Sequence, residues 1–527
     1  MPRNSLWRHI LWRHTVSPAM GLMLAALSGC TLPSLDDRPA SEAFPPAQTR
    51  DTRLGEVIHP EVSRRPDRSG IATLEDPLDA FAARALLAQA SDRSLDVQYY
   101  IWQDDMAGNL LLHTLYRAAQ RGVRVRLLLD DNGIPGMDAS LAALNRHPNV
   151  EVRLFNPFVV RRPKALGYLS DFTRLNRRMH NKSFTVDNQV TVIGGRNIAD
   201  AYFGIGSGAL FADLDVVAAG PIVERMSQDF DRYWTSDSAY PAERLLPSAS
   251  DEDLAALGVR GAALARRDDA QRFIAAIETS RFLDELMAGE LAFIWAPVEM
   301  VSDDPAKALG QQPDDGLLSR QLVKALGTPE RSVTLVSPYF VPGEAGVALF
   351  RSLEASGVEV RILTNSLAAN DVAVVHSGYA KYRKPLLRAG VALYEMRATA
   401  APPHDETLPS PLSLVGSSAS SLHAKTFAVD GETLFVGSFN FDPRSTRLNT
   451  ELGFLIESPA LAGALDERFD ERVPQSAYEV VLTPQGELRW LETRGDRVIR
   501  HAQEPDTSVV KRSMVWLFSL LPLEPLL

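Results

Sequence analysis

The sequence predicts an α/β protein built from two similar halves. Three observations carry that reading. Strand-like apolar runs alternate with helical periodicity from about residue 76 to about 475. Gly122-Val123-Arg124-Val125 has a counterpart in Gly357-Val358-Glu359-Val360. His180-Asn181-Lys182 recurs as His423-Ala424-Lys425, an offset of 243 residues (423 less 180). A repeat that long is a whole domain rather than a solenoid unit. The chain has 527 residues, 45% hydrophobic and 23% charged, which excludes a disordered or collagen-like chain. At roughly 100–200 residues per domain it has room for two to four.

The elements follow in order. Arg3, Arg8 and Arg13 precede an apolar run from Val16 to Leu27, and then Leu27-Ser28-Gly29-Cys30. Residues 1–29 read as a secretory signal peptide, too short for a transmembrane helix of about 20 apolar residues. The ending resembles the lipobox of bacterial lipoproteins. That resemblance implies cleavage before Cys30 and a lipid on its sulfur, with the protein on the periplasmic side of the cell envelope. By the resemblance to Gram-negative lipoproteins, Thr31 rather than Asp after the cysteine implies the outer membrane. Loss of the three arginines leaves 52 basic residues (55 less 3) against 66 acidic, a net charge of −14. That balance argues against a nucleic acid partner. A single cysteine excludes an intramolecular disulfide.

Residues 30–75, rich in Pro, Arg, Asp and Ser, read as a linker. A first domain is expected over 76–240. Phe81–Ala88 and Leu110–Arg121 have helical periodicity, and Leu95–Trp102 and Val123–Leu129 read as strands. Residues 241–320 form an inter-domain connection with some structure of its own. A second domain is expected over 321–475. Its helices are Ser319–Ala325 and Ala345–Ser356, and its strands Val333–Phe340 and Val358–Thr364. Residues 476–527 are a carboxyl-terminal extension. Its apolar tail, Ser513 to Leu527, suits a membrane interface, a lid, or packing on the protein's own core.

The repeat is sharpest where chemistry can reside. His180, Lys182 and Asp187 are followed by Gly194-Gly195-Arg196-Asn197; His423, Lys425 and Asp430 by Gly437-Ser438-Phe439-Asn440. His and Lys two apart on a strand share a face. Asp187-Asn188 and Asp430-Gly431 are turn dipeptides, so the chain returns to bring Asn197 and Asn440 near the His-Lys pairs. Asp187 and Asp430, at the far turns, are assigned structural roles. A convergence of His, Lys and Asn suits a phosphate, with Lys supplying charge, Asn its amide and His a nucleophile or proton carrier. Two copies related by a pseudo-twofold would put one histidine on each side of a phosphorus.

These paired His-x-Lys-x4-Asp motifs resemble those of the phospholipase D superfamily, over about residues 76–475. The resemblance implies two tandem domains, each a mixed β-sheet flanked by helices, with one shared active site. It implies a phosphohistidine intermediate with no metal or other cofactor, and a single chain sufficient for catalysis. His180 would be the nucleophile and His423 the acid, or the reverse. A carboxylate is expected behind each catalytic histidine. Asp213 and Glu451 are the choices, with Asp215 a rival to Asp213. Asn197, Asn440 and the Ser438 hydroxyl are candidates for binding phosphate. Tyr100 and Tyr339 are candidates for lining the cleft, and His376 with Tyr379–Arg383 for a head group. Arg161, Arg162, Lys164, Arg174, Arg177 and Arg178 could form a basic rim for anionic lipid. The Asp213-Leu214-Asp215-Val216 and Asn449-Thr450-Glu451-Leu452 segments and the tail resemble the bacterial cardiolipin synthase C group. That implies phosphatidyl transfer between two phospholipids. The alternatives are phospholipase D hydrolysis to phosphatidic acid and a secreted nuclease or phosphodiesterase.

Overall fold

The structure, a computed structural model, describes residues 31–204, 211–370, 372–398 and 421–527. Cys30 and the signal segment lie outside the described residues.

The first half is a nine-stranded mixed sheet. Its centre is three parallel strands, Ser94–Tyr99, Arg124–Asp130 and Val150–Phe155. All residues of Ser94–Tyr99 are buried. Helices on the sheet faces cover its polar positions, Asp96 and Gln98, as well as its apolar ones. Helix Pro77–Ala90 starts where Asp76 accepts from the Leu78 and Asp79 N–H groups, with Pro77 in the first turn. Helix Gln271–Thr279 covers its outer side, with the Phe81 and Phe273 rings 4.2 Å apart. The charges within this core are paired: Arg126 with Asp96 at 2.6 Å, Arg84 with Asp215 at 2.7 Å.

The second half repeats the plan. Ser332–Val336, Glu359–Asn365 and Ala392–Met396 run parallel, flanked by the antiparallel hairpin Thr426–Val429 and Thr433–Gly437, in a ten-stranded sheet. The two halves pack through one buried apolar cluster. Ile193, Val216 and Met226 meet Leu434, Phe454 and Leu461 there. The α/β class and the two-domain plan expected from the sequence are therefore observed.

Three boundaries differ. The segment read as linker contains helix Arg53–Ser63 and strand Ser69–Leu74, which pairs with Asp215–Ala219 inside the first sheet. The helix carries Pro60 and buries only Leu54, Gly55 and Ile58, so its stripe is too narrow to show as periodicity. The connection 241–320 packs most of its helices on the first half. It then sends Ile294–Ala296 into the first sheet and Val298–Ser302 into the second, with Pro297 between. The second domain continues past 475. Ala477–Leu482, Leu488–Arg494 and Arg497–His501 extend its sheet by three antiparallel strands. In the last two of these strands, charged and exposed positions hide the alternation. Among the described residues no helix is long and apolar enough to cross a membrane.

Candidate active site

Each His-x-Lys motif enters a hairpin. Ser183–Val186 pairs with Val190–Gly194, and Thr426–Val429 with Thr433–Gly437. The turn residues Asp187 and Asn188, and Asp430 and Gly431, have positive φ. The Asp187 carboxylate accepts from the N–H groups of Asp92, Arg93 and Ser94, at 2.7–3.0 Å. Asp430 accepts from Glu330, Arg331 and Ser332 in the same way. These carboxylates pin the hairpin tips to the next strand and lie away from the histidines.

The other ends of the hairpins meet across the two halves. His180 N–H donates to the Thr450 carbonyl at 2.9 Å, and Thr450 N–H to that of Arg178. On the opposite side Ser421–Leu422 pairs in parallel with Phe211–Ala212. Each bridge ends by aligning a histidine with a carboxylate of the other half. His180 Nδ1 lies 2.8 Å from Glu451 Oε2, and His423 Nδ1 lies 2.6 Å from Asp213 Oδ2. The site is thus crossed: the carboxylate at each histidine comes from the other half. Asp215, the rival to Asp213, is instead engaged by Arg84 and Arg196 in the core.

The crossing fixes a tautomer. The Ser438 carbonyl lies 3.1 Å from His180 Nδ1, beside Glu451. A carbonyl can only accept, so Nδ1 carries the proton and Nε2 keeps its lone pair. Burial, with the Lys182 and Lys425 ammonium groups, holds His180 well below the ordinary imidazole value. Burial pushes the Glu451 carboxyl up to about 7 and the Lys182 ammonium down to about 7. In the other pair burial opposes charge on both members. His423, Lys425 and Arg196 around Asp213 nonetheless keep its carboxylate below the usual range. Burial and Lys425 lower His423. Lys182 and Lys425 each donate to the backbone carbonyl of their own histidine.

The carboxylates account for the residues at 195 and 438. Ser438 was expected to bind phosphate, but its hydroxyl donates to Glu451 Oε2 at 2.5 Å and accepts from Leu452 N–H. It serves the carboxylate because Glu451 lies directly over it. In the first half a Cβ on Gly195 would lie 2.1 Å from Asp213 Oδ1, so no side chain fits. Asn197 accepts from Ile101 N–H and donates to the Tyr202 hydroxyl at 2.9 Å. Asn440 is buried and its Oδ1 has no hydrogen-bond partner among the described residues. The Tyr100 ring lies edge-on to His180, with centroids 5.2 Å apart, and that of Tyr202 edge-on to His423 at 5.0 Å. Both rings come from the first half. Tyr202 was missed, because five residues past Asn197 nothing in the sequence separates it from a core aromatic. Tyr339 sits half-buried in the loop after Ser332–Val336.

Two expectations are corrected. His376 and Arg383 are buried in an internal network with Glu504, Glu395 and the Tyr379 hydroxyl. They fasten the carboxyl-terminal extension to the second domain. The basic rim is largely neutralised. Arg161 and Lys164 pair with Asp131, Arg174 with Asp171 and the buried Arg178 with Asp130, while Arg177 faces carbonyl groups. Arg162 alone among the six is exposed.

Comparison with known proteins agrees with this geometry. The family model described as cardiolipin synthase, PLD-like domain matches twice, at residues 84–234 and 322–473. The chain is 50% identical to cardiolipin synthase C of Escherichia coli (strain K12) over 482 residues, covering 90% of this chain and 100% of that one. It is 32% identical to an uncharacterized protein of Helicobacter pylori (strain ATCC 700392 / 26695), covering 89% of this chain and 92% of the relative. The crystal structure of phosphatidylserine synthase from Haemophilus influenzae Rd KW20 shares the fold. It has a TM-score of 0.55 and 14% identity, covering 90% of this chain and 100% of that one. Two matched domains, whose motifs meet in one crossed site, make this chain a member of the cardiolipin synthase family of phospholipase D-like proteins.

Proposed function

We propose that the protein is a phosphatidyltransferase that makes cardiolipin from two phospholipids through a phosphohistidine. The observation that carries the reading is the crossed pair of histidine–carboxylate contacts. His180, neutral and with a free Nε2 lone pair, is the nucleophile. Nε2 attacks the phosphorus of the donor lipid and the bond from phosphorus to the head-group oxygen breaks. His423, as an imidazolium paired through Nδ1 with the Asp213 anion, delivers its Nε2 proton to that leaving oxygen. The hydroxyl of phosphatidylglycerol then gives its proton to His423 and attacks the same phosphorus. The phosphorus–nitrogen bond breaks and cardiolipin leaves. Lys182, Lys425 and the amides of Asn197 and Asn440 supply charge and hydrogen bonds to the phosphoryl oxygens. One chain supplies both halves of the site and acts as a monomer.

Purified protein on vesicles of phosphatidylethanolamine and phosphatidylglycerol, read by lipid mass spectrometry, tests this. Cardiolipin is expected, and it is lost in His180→Ala and His423→Ala. Phosphatidic acid alone would assign a hydrolase instead.

The lipobox-like Leu27-Ser28-Gly29-Cys30 supports anchoring through a lipid on Cys30, on the periplasmic side of the envelope and at the outer membrane. Cys30→Ser should move the protein out of the outer-membrane fraction. Unchanged fractionation would refute the anchor.

A further inference from the structure

The carboxyl-terminal helix Val509–Ser519 is amphipathic the wrong way round for a soluble protein. Its inward side buries Val515 against Leu367 and Ala373, with Phe518 packed alongside. Its outward side carries Val509, Val510, Trp516 and Leu517, and the stripe continues through Leu520 and Leu521. Trp516 is 64% exposed and Leu520 61%. These positions recur at helical spacing, so they gather on one face, with Ser513 the polar residue among them. From Ser508 to Leu523 the chain has Lys511 and Arg512 and no acidic residue, within a protein of net charge −11.

A second exposed apolar element belongs to the first half. Leu166, Leu169 and Phe172 project from the short helical segment ending at Leu175, and Leu169 is 85% exposed. This segment also lacks an acidic residue from Val159 to Ser170 and exposes Arg162. It ends five residues before His180.

Arg444 joins the two elements. Its guanidinium donates to the Asn176 side chain and carbonyl, at 3.0 and 2.8 Å, and to the Leu526 carbonyl at 3.2 Å. Its backbone N–H donates to the Leu527 carbonyl. Glu524 accepts from the Tyr382 hydroxyl at 2.8 Å, which holds the tail in place. The chain just past each apolar element is therefore tied to Arg444, on the His180 side of the catalytic cleft.

We propose that these two elements are a lipid-docking face, inserted together into the head-group region of a bilayer that carries anionic lipid. The inference rests on the phosphatidyl-transfer reading, because a two-chain phospholipid keeps its acyl chains in the bilayer and presents its phosphodiester at head-group level. Apolar side chains with an interfacial tryptophan, seated about 5–10 Å into that boundary, set the cleft at the same level. The flanking cations match anionic head groups. The face is separate from any lipid on Cys30, and acts by orienting the cleft rather than by holding the protein at the membrane.

The test uses the full chain and two paired variants, Trp516→Ser with Leu520→Ser and Leu169→Ser with Phe172→Ser. Turnover is measured on vesicles of phosphatidylethanolamine and phosphatidylglycerol and on the dihexanoyl forms of both lipids below their micelle concentrations. Each variant should lose about tenfold or more of vesicle turnover, while turnover of the monomeric lipid stays within twofold of the parent. Equal vesicle turnover in parent and variants overturns the docking face. No turnover of either lipid by the parent overturns instead the reaction on which it rests. Brominated lipid in the vesicles gives a second readout that needs no turnover. Quenching of the parent, reduced in Trp516→Phe, supports insertion, and identical quenching refutes it. A concentration-dependent dimer in sedimentation, dissociated by the same substitutions, would assign the face to a second copy of the chain and overturn the proposal.

Discussion

Replacing Glu451 by Gln should make the protein more stable and much less active, and the structure sets the size of both effects. Glu451 is fully buried, and its carboxyl titrates near 7 against an ordinary 4.5. The folded value lies above the unfolded one, so between pH 4.5 and 7 the folded state holds the extra proton. Stability is therefore full below about pH 4.5 and falls as pH rises through 7. At 1.36 kcal/mol per unit, the loss at pH 8 is about 3 kcal/mol. Glutamine carries no such charge, so the variant should be more stable by up to that amount at pH 8 and nearly equal at pH 4.5. Activity should move the other way. The Ser438 carbonyl keeps the proton on His180 Nδ1, but a neutral glutamine cannot balance the positive charge that the ring gains as Nε2 bonds to phosphorus. Loss of the carboxylate behind a catalytic histidine costs up to about 10⁴-fold in turnover. The assays are denaturant unfolding at the two pH values and cardiolipin formation on vesicles. An equal stability difference at both pH values would refute the protonation argument. Turnover within fivefold of the parent would refute the role of Glu451 behind His180.

Gly195→Ser places a side chain where the Asp213 carboxylate lies, with Cβ 2.1 Å from Oδ1. Turnover should fall by about tenfold or more as Asp213 is pushed off His423, and a variant as active as the parent would contradict this geometry. Asp187→Ala leaves three backbone N–H groups without their acceptor and should cost about 2–4 kcal/mol in denaturant unfolding. KM should be unchanged, since the residue lies at the far end of the hairpin. His376→Ala should lower stability by about 1–3 kcal/mol, because it breaks the buried contact to Glu504, and leave turnover within twofold. A large loss of turnover would return His376 to the substrate site.

The parts legible in the sequence were those set by local rules. Buried parallel strands show as apolar runs, and Asp187-Asn188 and Asp430-Gly431 mark turns whose positive φ the structure displays. Strand Ser69–Leu74 was hidden because it is short and flanked by charged residues that belong to other elements. The basic rim was misread because Asp131 and Asp138, which neutralise Arg161, lie 30 and 23 residues earlier, and nothing local joins them. Asp213 and Glu451 could be picked out as residues, but not their crossing. Which histidine each faces depends on how the halves dock, through the Ser421–Leu422 bridge and the Thr450 contact, and docking leaves no periodicity in either strand. The same holds for Ser438, whose partner is settled by the length of the Glu451 side chain opposite it.

The most direct test of the account is to find the covalent intermediate. The protein is mixed with vesicles of phosphatidylethanolamine and phosphatidylglycerol and quenched within the first turnover. Peptides spanning residues 180 and 423 are then analysed by mass spectrometry under conditions that preserve phosphoramidate. A phosphatidyl adduct on His180, absent in His180→Ala, is the predicted result. An adduct on His423, or continued cardiolipin formation with neither histidine labelled, would contradict the assignment of His180 as the nucleophile of a two-step transfer.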